Sequence, residues 1–525
     1  MSVAVLPDGR VLYWNGLEGT EHIEVHVAVD GGTWAGNSRA RILDLGSGTP
    51  RWSVPGPEDG GAGDMFCADQ KILPDGRVVI AGGTEWTTEP AVAGTGLTEL
   101  YGRRDTRVFN PKTDRFAVAG RMRNRRWYPS LVTLRDGRIL ALSGVVQLAK
   151  SAGTQQVRQP EVFDPATRKW TGAGPEAAKS LPLYPRVHLL PDGQIFYSGA
   201  GQMWGPFGES YDQVLWNLQA RYEPRRERWQ LLGPATYGAR NGAFSVLLPL
   251  RPPYTRARVL VGGGTLGTSP GSYVATDLTE LITLDTQGTA RAGDDVVSRA
   301  PGPRLSHRRW FSSGVLLPDG TVGVFSGADT DGVVDPGSER AVKTAELYDP
   351  ATNTWRDLSA GRRERGYHNS AALLPDGSVL IGGHSPLPSH YVRHGELGAP
   401  GAASNFKDPS FEIYRPPYLF RGSRPAIVAV PDAIGWGRGF RVRTPDAFRI
   451  VSAVLIRLPA ATHTVDADQR AVFLRITRRE GSTLMLGVPD NRAVLPPGPY
   501  YLFLNARSEL GPVPSVAQVV RVGGP

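Results

Sequence analysis

The chain has 525 residues, too many for one ordinary hydrophobic core, so two or more units or a repeat array are expected. Its 64 glycines and 44 prolines favour short strands and turns over long helices. The net charge of +9 is scattered rather than striped, which argues against a nucleic-acid partner, and no apolar run approaches the roughly 20 residues that cross a bilayer. We therefore expect a globular protein, a monomer, whose basic surface could associate loosely with acidic glycans or cell-wall polymers.

A hairpin signal recurs along most of the chain. A hydrophobic run, an Asp-Gly pair and a second run ending in small residues form each copy, and Asp-Gly between apolar runs is typical of a tight β-turn. The glycines of the six turns are Gly9, Gly76, Gly137, Gly193, Gly320 and Gly377. The one double-length interval contains a degenerate copy at 245–264, which makes seven hairpins.

Each hairpin is followed by a second half with two more strands and a closing aromatic residue. Examples are Phe163 with Trp170 and Tyr348 with Trp355. Four strands per unit with a double glycine after the second are typical of a kelch-type propeller blade. We predict an all-β fold with a seven-bladed β-propeller over residues 1–420, in which the aromatics are core and the insertions are face loops.

The period stops beyond residue 420, where short strands continue. We predict strands at 426–429, 439–442, 452–457, 470–475, 483–488, 498–505 and 518–522. This spacing indicates an immunoglobulin-like β-sandwich over residues 421–525.

The first residues of the chain already read as a strand one residue from a turn. No signal peptide is recognised there, and later copies of the unit carry more residues before the turn. We therefore expect upstream sequence to be missing.

Common catalytic motifs are missing from the sequence: there is no phosphate loop, nucleophile elbow, Cys-x-x-Cys pair or His-Glu-x-x-His. The single cysteine, Cys67, excludes an internal disulfide and is either a small buried hydrophobe or a reactive thiol. Among nine histidines, His384, His390 and His394 share one loop and are either exposed or a loose metal site.

Four segments together resemble copper radical oxidases, the family of galactose oxidase and glyoxal oxidase. They are Gly63-Asp64-Met65-Phe66-Cys67, Arg126-Trp127-Tyr128-Pro129-Ser130, Arg365-Gly366-Tyr367-His368 and Thr462-His463-Thr464-Val465 with its trailing Asp-Gln-Arg. The resemblance covers nearly the whole chain. It implies an extracellular or cell-envelope location.

The resemblance also implies a site and a reaction. One copper ion would be held by Tyr128, Tyr367, His368 and His463, a donor set that suits Cu(II). Cys67 would be joined to the Tyr128 ring by a thioether that stores a radical. Tyr367 would take the O–H proton of a small primary alcohol or hydrated aldehyde as general base, and the radical would take the C–H hydrogen atom. Dioxygen would be reduced to hydrogen peroxide, and the organic product would be an aldehyde or acid.

Departures from galactose oxidase concern the surroundings of the site. The tryptophan that shields the crosslink has no counterpart in Gly144-Val145-Val146-Gln147, and Trp204 is the candidate replacement. Arg186 is the approximate counterpart of a sugar-binding arginine. The sugar-packing phenylalanine loop and the N-terminal carbohydrate-binding domain have no counterpart, so galactose is not the expected substrate.

Two rival interpretations remain open at this point. A non-catalytic kelch propeller used for binding or adhesion would explain the repeats equally well, since fold does not imply function. It gives no reason for Cys67, both tyrosines and both histidines to occur together. The second rival is an enzyme that binds copper but never forms the radical.

Overall fold

The structure is a computed structural model, and it describes residues 1–14, 40–46, 48–56, 64–88, 98–149, 153–203, 215–266, 274–286, 297–329, 340–384, 408 and 410–523. Within these ranges the fold is all-β, and the helical segments assigned are two 3-10 turns, Pro175–Ala177 and Pro417–Phe420. The described residues include no helix long and apolar enough to cross a membrane.

Seven antiparallel sheets follow one another along the chain, which confirms the predicted propeller class; we number them blades 1 to 7. Blades 1 and 2 contain the strands Ser2–Val5, Val11–Trp14, Arg41–Asp44 and Arg51–Ser53, then Asp64–Ile72, Val78–Thr88, Thr98–Asn110 and Arg115–Arg126. Blades 3 and 4 contain Ser130–Thr133, Ile139–Leu142, Glu161–Asp164 and Lys169–Gly172, then Val187–Leu189, Ile195–Tyr197, Leu218–Glu223 and Arg228–Pro234.

Blades 5 to 7 continue the same order. Their strands are Phe244–Leu247, Arg256–Gly262, Thr279–Asp285 and Val297–Pro301, then Ser313–Leu316, Val322–Phe325, Thr344–Asp349 and Thr354–Ala360, then Ser370–Leu373, Val379–Gly382 and Phe411–Tyr414. Blade 7 thus has three strands within the described part of the chain, where the repeat predicts four.

Several insertions that were expected to be loops, among them 149–158, 197–218 and 265–276, contain short strands instead. Val145–Ala149 and Gly153–Gln156 extend the blade 2 sheet, because Val145–Ala149 pairs with Thr98–Asn110. A small separate sheet is formed by Ala200–Gly201, Arg240–Asn241, Thr265–Leu266 and Val274–Ala275.

The Asp-Gly turns have the predicted geometry. All six turn glycines adopt positive φ between 84° and 94°, a region that glycine enters without a Cβ penalty. The double glycine serves a different purpose. A Cβ on Gly82 would lie 2.6 Å from the Arg126 carbonyl oxygen, and one on Gly383 would lie 2.6 Å from the His368 carbonyl oxygen. The absence of a Cβ at these glycines therefore allows neighbouring backbone segments of the same chain to approach the hairpin ends.

The closing aromatics pack inside the blades as predicted. Ring centroids are 5.3 Å apart for Phe163 and Trp170 and 5.1 Å apart for Tyr348 and Trp355. The indole N–H of Trp170 also donates to Thr106 Oγ1 of the preceding blade at 2.7 Å. These aromatics thus stabilise single blades and the contacts between blades.

The C-terminal strands wrap around a second apolar core and form the predicted β-sandwich. They are Ala433–Ile434, Gly439–Arg443, Ile450–Arg457, Ala471–Glu480, Thr483–Gly487, Gly498–Ala506, Val513–Pro514 and Gln518–Val522. The predicted strand at 426–429 is reduced to one bridge between Ala429 and Arg443, because Pro425 and Pro431 flank it and cannot donate to a ladder. The unit boundary near residue 420 stays a prediction.

A buried charge cluster connects the sandwich to the propeller. Asp468 accepts hydrogen bonds from the backbone and hydroxyl of Thr133, and its carboxylate lies 3.3 Å from Arg457. The Lys71 ammonium forms a fully buried ion pair with Asp69 at 2.8 Å. Burial lowers the pKa of Lys71, but the carboxylates of Asp69, Asp466 and Asp468 outweigh it and hold this pKa above its usual value.

Replacing Asp468 with alanine is expected to lower the stability by about 3–5 kcal/mol, because it leaves the Arg457 charge buried without its carboxylate. Thermal denaturation followed by circular dichroism measures the effect as a lower Tm. The exposed pair of Arg478 and Glu480 is the matched control, since Glu480→Ala should cost less than about 1 kcal/mol. Equal Tm values for Asp468→Ala and the unmodified protein would contradict the expected role.

Candidate metal centre

Two phenols and two imidazoles meet where the inner ends of the blades converge. The hydroxyl oxygens of Tyr128 and Tyr367 are 2.6 Å apart, and the Tyr128 hydroxyl is 3.4 Å from His368 Nε2. The His463 ring centroid lies 4.8 Å from that of Tyr128 and 4.9 Å from that of His368. All four side chains are buried. The four predicted ligands therefore share one buried site although they are up to 335 residues apart, as from Tyr128 to His463.

Cys67 lies beside the same tyrosine. It belongs to one buried cluster with Tyr128, and the Tyr128 amide donates to the Cys67 carbonyl oxygen at 3.0 Å. Its Sγ is 3.9 Å from His463 Nε2. The thiol is therefore next to the tyrosine to which the resemblance would link it.

The backbone at these residues is irregular. Cys67, Tyr128, His368 and His463 have φ of 68°, 58°, 61° and 46°, in the left-handed region that non-glycine residues rarely occupy. Such conformations cost about 1–3 kcal/mol each and cluster at functional sites. Positive φ at His368 lets the consecutive residues Tyr367 and His368 face one site, which a regular strand would forbid.

His463 reaches the propeller on a hairpin of the sandwich. The strand Ala460–Thr462 adds to the inner edge of blade 1 by pairing with Ser2–Val5. Gln70 Nε2 donates to the Ala461 carbonyl at 2.7 Å, and the hydroxyl of Thr462 is 2.8 Å from His463 Nδ1. This contact fixes Nδ1, and the other ring nitrogen, Nε2, faces the Cys67 thiol. Such a bond on the remote nitrogen typically orients a metal-ligating histidine.

Two arginine–glutamate pairs, one buried and one partly buried, hold the segments that lead to the two phenols. Arg126, two residues before Tyr128, lies 2.9 Å from Glu161, and Arg365, two residues before Tyr367, lies 3.0 Å from Glu412. The same pairing recurs in the sequence as an arginine before the hairpin with a glutamate in the third strand. This periodic signal is visible in the sequence.

The electrostatics of the site suit a bound cation. Burial, and then the thiol of Cys67 and the Tyr367 hydroxyl, raise the pKa of Tyr128 well above its usual value. Burial also raises the pKa of Tyr367. Burial and the nearby positive groups, His368 and Arg186 among them, hold the pKa of His463 far below its usual value. Without a cation the phenols stay protonated, whereas the imidazole is neutral and free to ligate.

The donor set fits copper in particular. Two neutral imidazole nitrogens with two phenol oxygens are ligands that Cu(II) accepts, whereas Mg²⁺ prefers carboxylates and water. A second group of possible ligands, His307, Glu346 and Asp357, lies away from this site. Glu346 is there already paired with Arg309, so the phenol and imidazole cluster is the better candidate for a metal.

The Tyr128 ring lies between two other aromatic rings. Trp127 stacks on it with centroids 3.7 Å apart at 8°, and Tyr184 stacks at 4.4 Å and 28°. Two rings so close to one ring must occupy opposite faces, because they would otherwise overlap. Trp127 thus covers the ring that the sequence analysis expected Trp204 to shield, and Trp204 lies outside the described residues.

Arg186 lies next to the His463 hairpin and is buried. Its Nε donates to the Ala243 carbonyl at 2.9 Å, and one terminal nitrogen donates to Thr464 Oγ1 at 3.0 Å. Through these contacts Arg186 holds the turn that carries His463 and Thr464. Its predicted contact with substrate stays a prediction.

The alternative histidine group is only partly described. His384 Nδ1 accepts a hydrogen bond from the Gly366 amide at 2.9 Å, which uses that nitrogen to fix the backbone beside Tyr367. His390 and His394 lie outside the described residues.

Four further side chains at the site received no role from the sequence. Tyr184 has its hydroxyl 3.3 Å from His463 Nδ1, and the Tyr367 hydroxyl donates to Gln202 Oε1 at 3.0 Å. Phe66 packs against both imidazoles, and Phe311 packs against Tyr367 with centroids 4.3 Å apart. Phe66 lies directly before Cys67 in the sequence, but only the fold shows which rings it contacts.

Two protein families match the chain in sequence. The model described as Glyoxal oxidase N-terminus matches residues 64–398, and the one described as Galactose oxidase-like, Early set domain matches residues 424–522. Together they include every residue of the candidate site.

Individual relatives are similar over most of the chain. A galactose oxidase of Gibberella zeae is 26% identical over 479 residues, which cover 87% of this chain and 61% of the relative. An aldehyde oxidase GLOX of Vitis pseudoreticulata is 26% identical over 487 residues, covering 87% and 82%. The chain thus spans less than two thirds of the length of the galactose oxidase that it matches.

A solved structure has the same fold. It is that of a fungal alcohol oxidase in complex with copper, with a TM-score of 0.75 and 22% identity, covering 100% of this chain and 97% of that one.

Proposed function

Because the chain belongs to the glyoxal oxidase family, with a galactose oxidase-like early set domain, we propose that it is a copper radical oxidase. It would oxidise small primary alcohols or aldehydes with dioxygen and release hydrogen peroxide. The observation that carries this proposal is the meeting of Tyr128, Tyr367, His368 and His463 in one buried site beside Cys67. For an alcohol the balance is RCH₂OH + O₂ → RCHO + H₂O₂.

Copper, when bound between the two phenols and two imidazoles, would keep the phenols ionised and accept one electron in each turnover. The Tyr367 oxygen would take the substrate hydroxyl proton as general base. The Tyr128 ring would take the hydrogen atom from the adjacent carbon. Burial of all these groups excludes water from the radical.

The proposed cofactor also includes a thioether between Cys67 and the Tyr128 ring. Its formation breaks the S–H bond and one ring C–H bond, forms a C–S bond and passes two hydrogens to dioxygen. The stacked rings of Trp127 and Tyr184 support a radical on Tyr128, because they cover both ring faces. We assign Trp127 the shielding role, and substrate contact stays a prediction for Arg186 and Trp204.

Choice among substrates would come from the surrounding loops, and the sequence at 327–332 has no counterpart of the phenylalanine loop that packs against a sugar in galactose oxidase. Losing such contacts typically lowers kcat/KM about a hundredfold or more. We further propose an extracellular or cell-envelope location, a monomer, and loose association with acidic glycans, which the net charge of +9 would favour.

The test is peroxide release by copper-loaded protein from glyoxal, methylglyoxal, glycolaldehyde, glycerol, benzyl alcohol and galactose. We expect turnover of the small alcohols or aldehydes and little turnover of galactose. A wide lead for galactose would contradict the substrate assignment. No turnover of any compound despite an intact crosslink would contradict the proposed substrate class, and no copper binding would favour a non-catalytic propeller.

A further inference from the structure

Gln202 occupies a fixed position at the edge of the candidate site. It follows the short strand Ala200–Gly201, and its backbone amide and carbonyl both pair with Leu183, at 2.7 and 3.0 Å. Asn241 Oδ1 accepts the amide of the next residue, Met203, at 2.9 Å. The residue is only 2% exposed. Its side chain is therefore held in one place by the surrounding backbone.

Within the described residues, one of the two polar ends of the Gln202 carboxamide forms a hydrogen bond. Oε1 accepts the hydrogen bond from the Tyr367 hydroxyl at 3.0 Å, and that hydroxyl is 2.6 Å from the Tyr128 hydroxyl. Nε2 is buried and has no acceptor among the residues that the structure describes. A buried donor without an acceptor costs about 1–3 kcal/mol, so such groups are rare and require an explanation.

Exchanging the two ends of the amide does not remove the problem. If Nε2 faced Tyr367, then Oε1 would be the buried end without a protein partner. In either orientation one polar end of Gln202 points away from Tyr367. The oxygen and nitrogen of the amide share one carbon. The end without a partner is therefore close enough to the Tyr367 hydroxyl for one small molecule to contact both.

We propose that Gln202 binds substrate, donating from Nε2 to a second oxygen on the carbon next to the one that is oxidised. The oxygen that loses its proton faces Tyr367, and the neighbouring oxygen accepts from the amide. The site thereby prefers compounds with oxygens on adjacent carbons over simple alcohols. This inference rests on the proposed oxidase function.

Ethylene glycol and propan-1-ol provide the test, because they have equal numbers of heavy atoms and differ in one hydroxyl. The copper-loaded protein should show a kcat/KM roughly ten- to a hundredfold higher for ethylene glycol, the effect of one satisfied buried donor. Gln202→Met, which keeps the length of the side chain, should bring the ratio close to one. Gln202→Glu should do the same, since a carboxylate can accept from Tyr367 but has no amide donor.

Gln219→Met is the matched control. Gln219 is also fully buried, but both ends of its amide have protein partners, Arg299 and the Ser198 carbonyl. We expect this variant to keep the preference for ethylene glycol. A purely structural role of Gln202, acting through Tyr367 alone, would slow both alcohols equally and leave their ratio unchanged, which would overturn the proposal.

A binding measurement separates this inference from the oxidase function. Copper-loaded protein, treated with a mild one-electron reductant such as ferrocyanide that removes the radical but leaves Cu(II), is titrated with each alcohol, and the change in the copper EPR spectrum gives a Kd without turnover. Tighter binding of ethylene glycol that Gln202→Met removes would support the proposal even if no peroxide were released, in which case the oxidase function would be the part that failed. Equal Kd values for the two alcohols would overturn the role of Gln202.

Discussion

Cys67→Ser is expected to lower turnover by at least about a thousandfold, or roughly 4 kcal/mol in the activation free energy, while the fold and the bound copper are retained. The exchange replaces one sulfur by oxygen at a buried position, so only the proposed thioether with Tyr128 would be lost. Peroxide release with the best substrate measures the effect. Copper content and circular dichroism should match those of the unmodified protein.

Mass spectrometry tests the same bond directly. Copper-loaded, aerated protein should be two hydrogens lighter than its sequence mass, and digestion should yield joined peptides of Cys67 and Tyr128. The unmodified protein prepared without copper is the control and should have the full mass. A free thiol in denatured, fully copper-loaded protein would be decisive evidence against the crosslink, as would full turnover by Cys67→Ser.

His463→Ala should weaken copper binding by more than about a hundredfold, since even the partners of ligating histidines typically contribute ten- to a hundredfold. His368→Ala should have a similar effect. Equilibrium dialysis with metal analysis measures the loss, and we expect one copper per chain in the unmodified protein. Because His463 lies on the sandwich hairpin, its loss should leave the blade core intact.

His188→Ala is the matched control for His463→Ala. His188 is also buried, and its Nε2 is 2.7 Å from Ser245 Oγ within the propeller. Burial lowers its pKa to about 3, so both substitutions remove a neutral imidazole. The control should keep its copper. If the triple change of His384, His390 and His394 removed copper while His463→Ala kept it, the assignment of ligands would be wrong.

The repeat and the turns could be predicted from the sequence because their causes are local. Asp-Gly requires a positive φ at glycine, and alternating apolar residues require a buried face. Both signals stand within a few residues of each other, so blade order and strand positions could be read directly. The Ala426–Ala429 segment was misjudged because its apolar content predicted a strand, whereas the flanking prolines interrupt the ladder.

The candidate ligands could be named from the sequence only through the resemblance of four segments. No spacing rule relates Tyr128 to His463, because they lie far apart in the sequence. They meet only after the strand Ala460–Thr462 pairs with blade 1. The segments specified the residue types, and the fold specified that they share one site.

The surroundings of the site were decided by tertiary structure alone. Trp127 precedes Tyr128, and in a regular strand neighbouring side chains face opposite sides of the sheet. The left-handed backbone at Tyr128 lets the two rings stack, and no sequence pattern indicated it. In the same way, the contact of Gln202 with Tyr367 joins blades 4 and 7 across the axis. The sequence determined the blades and the residue types of the candidate ligands. The closure of the blades into a ring determined which side chains surround those ligands.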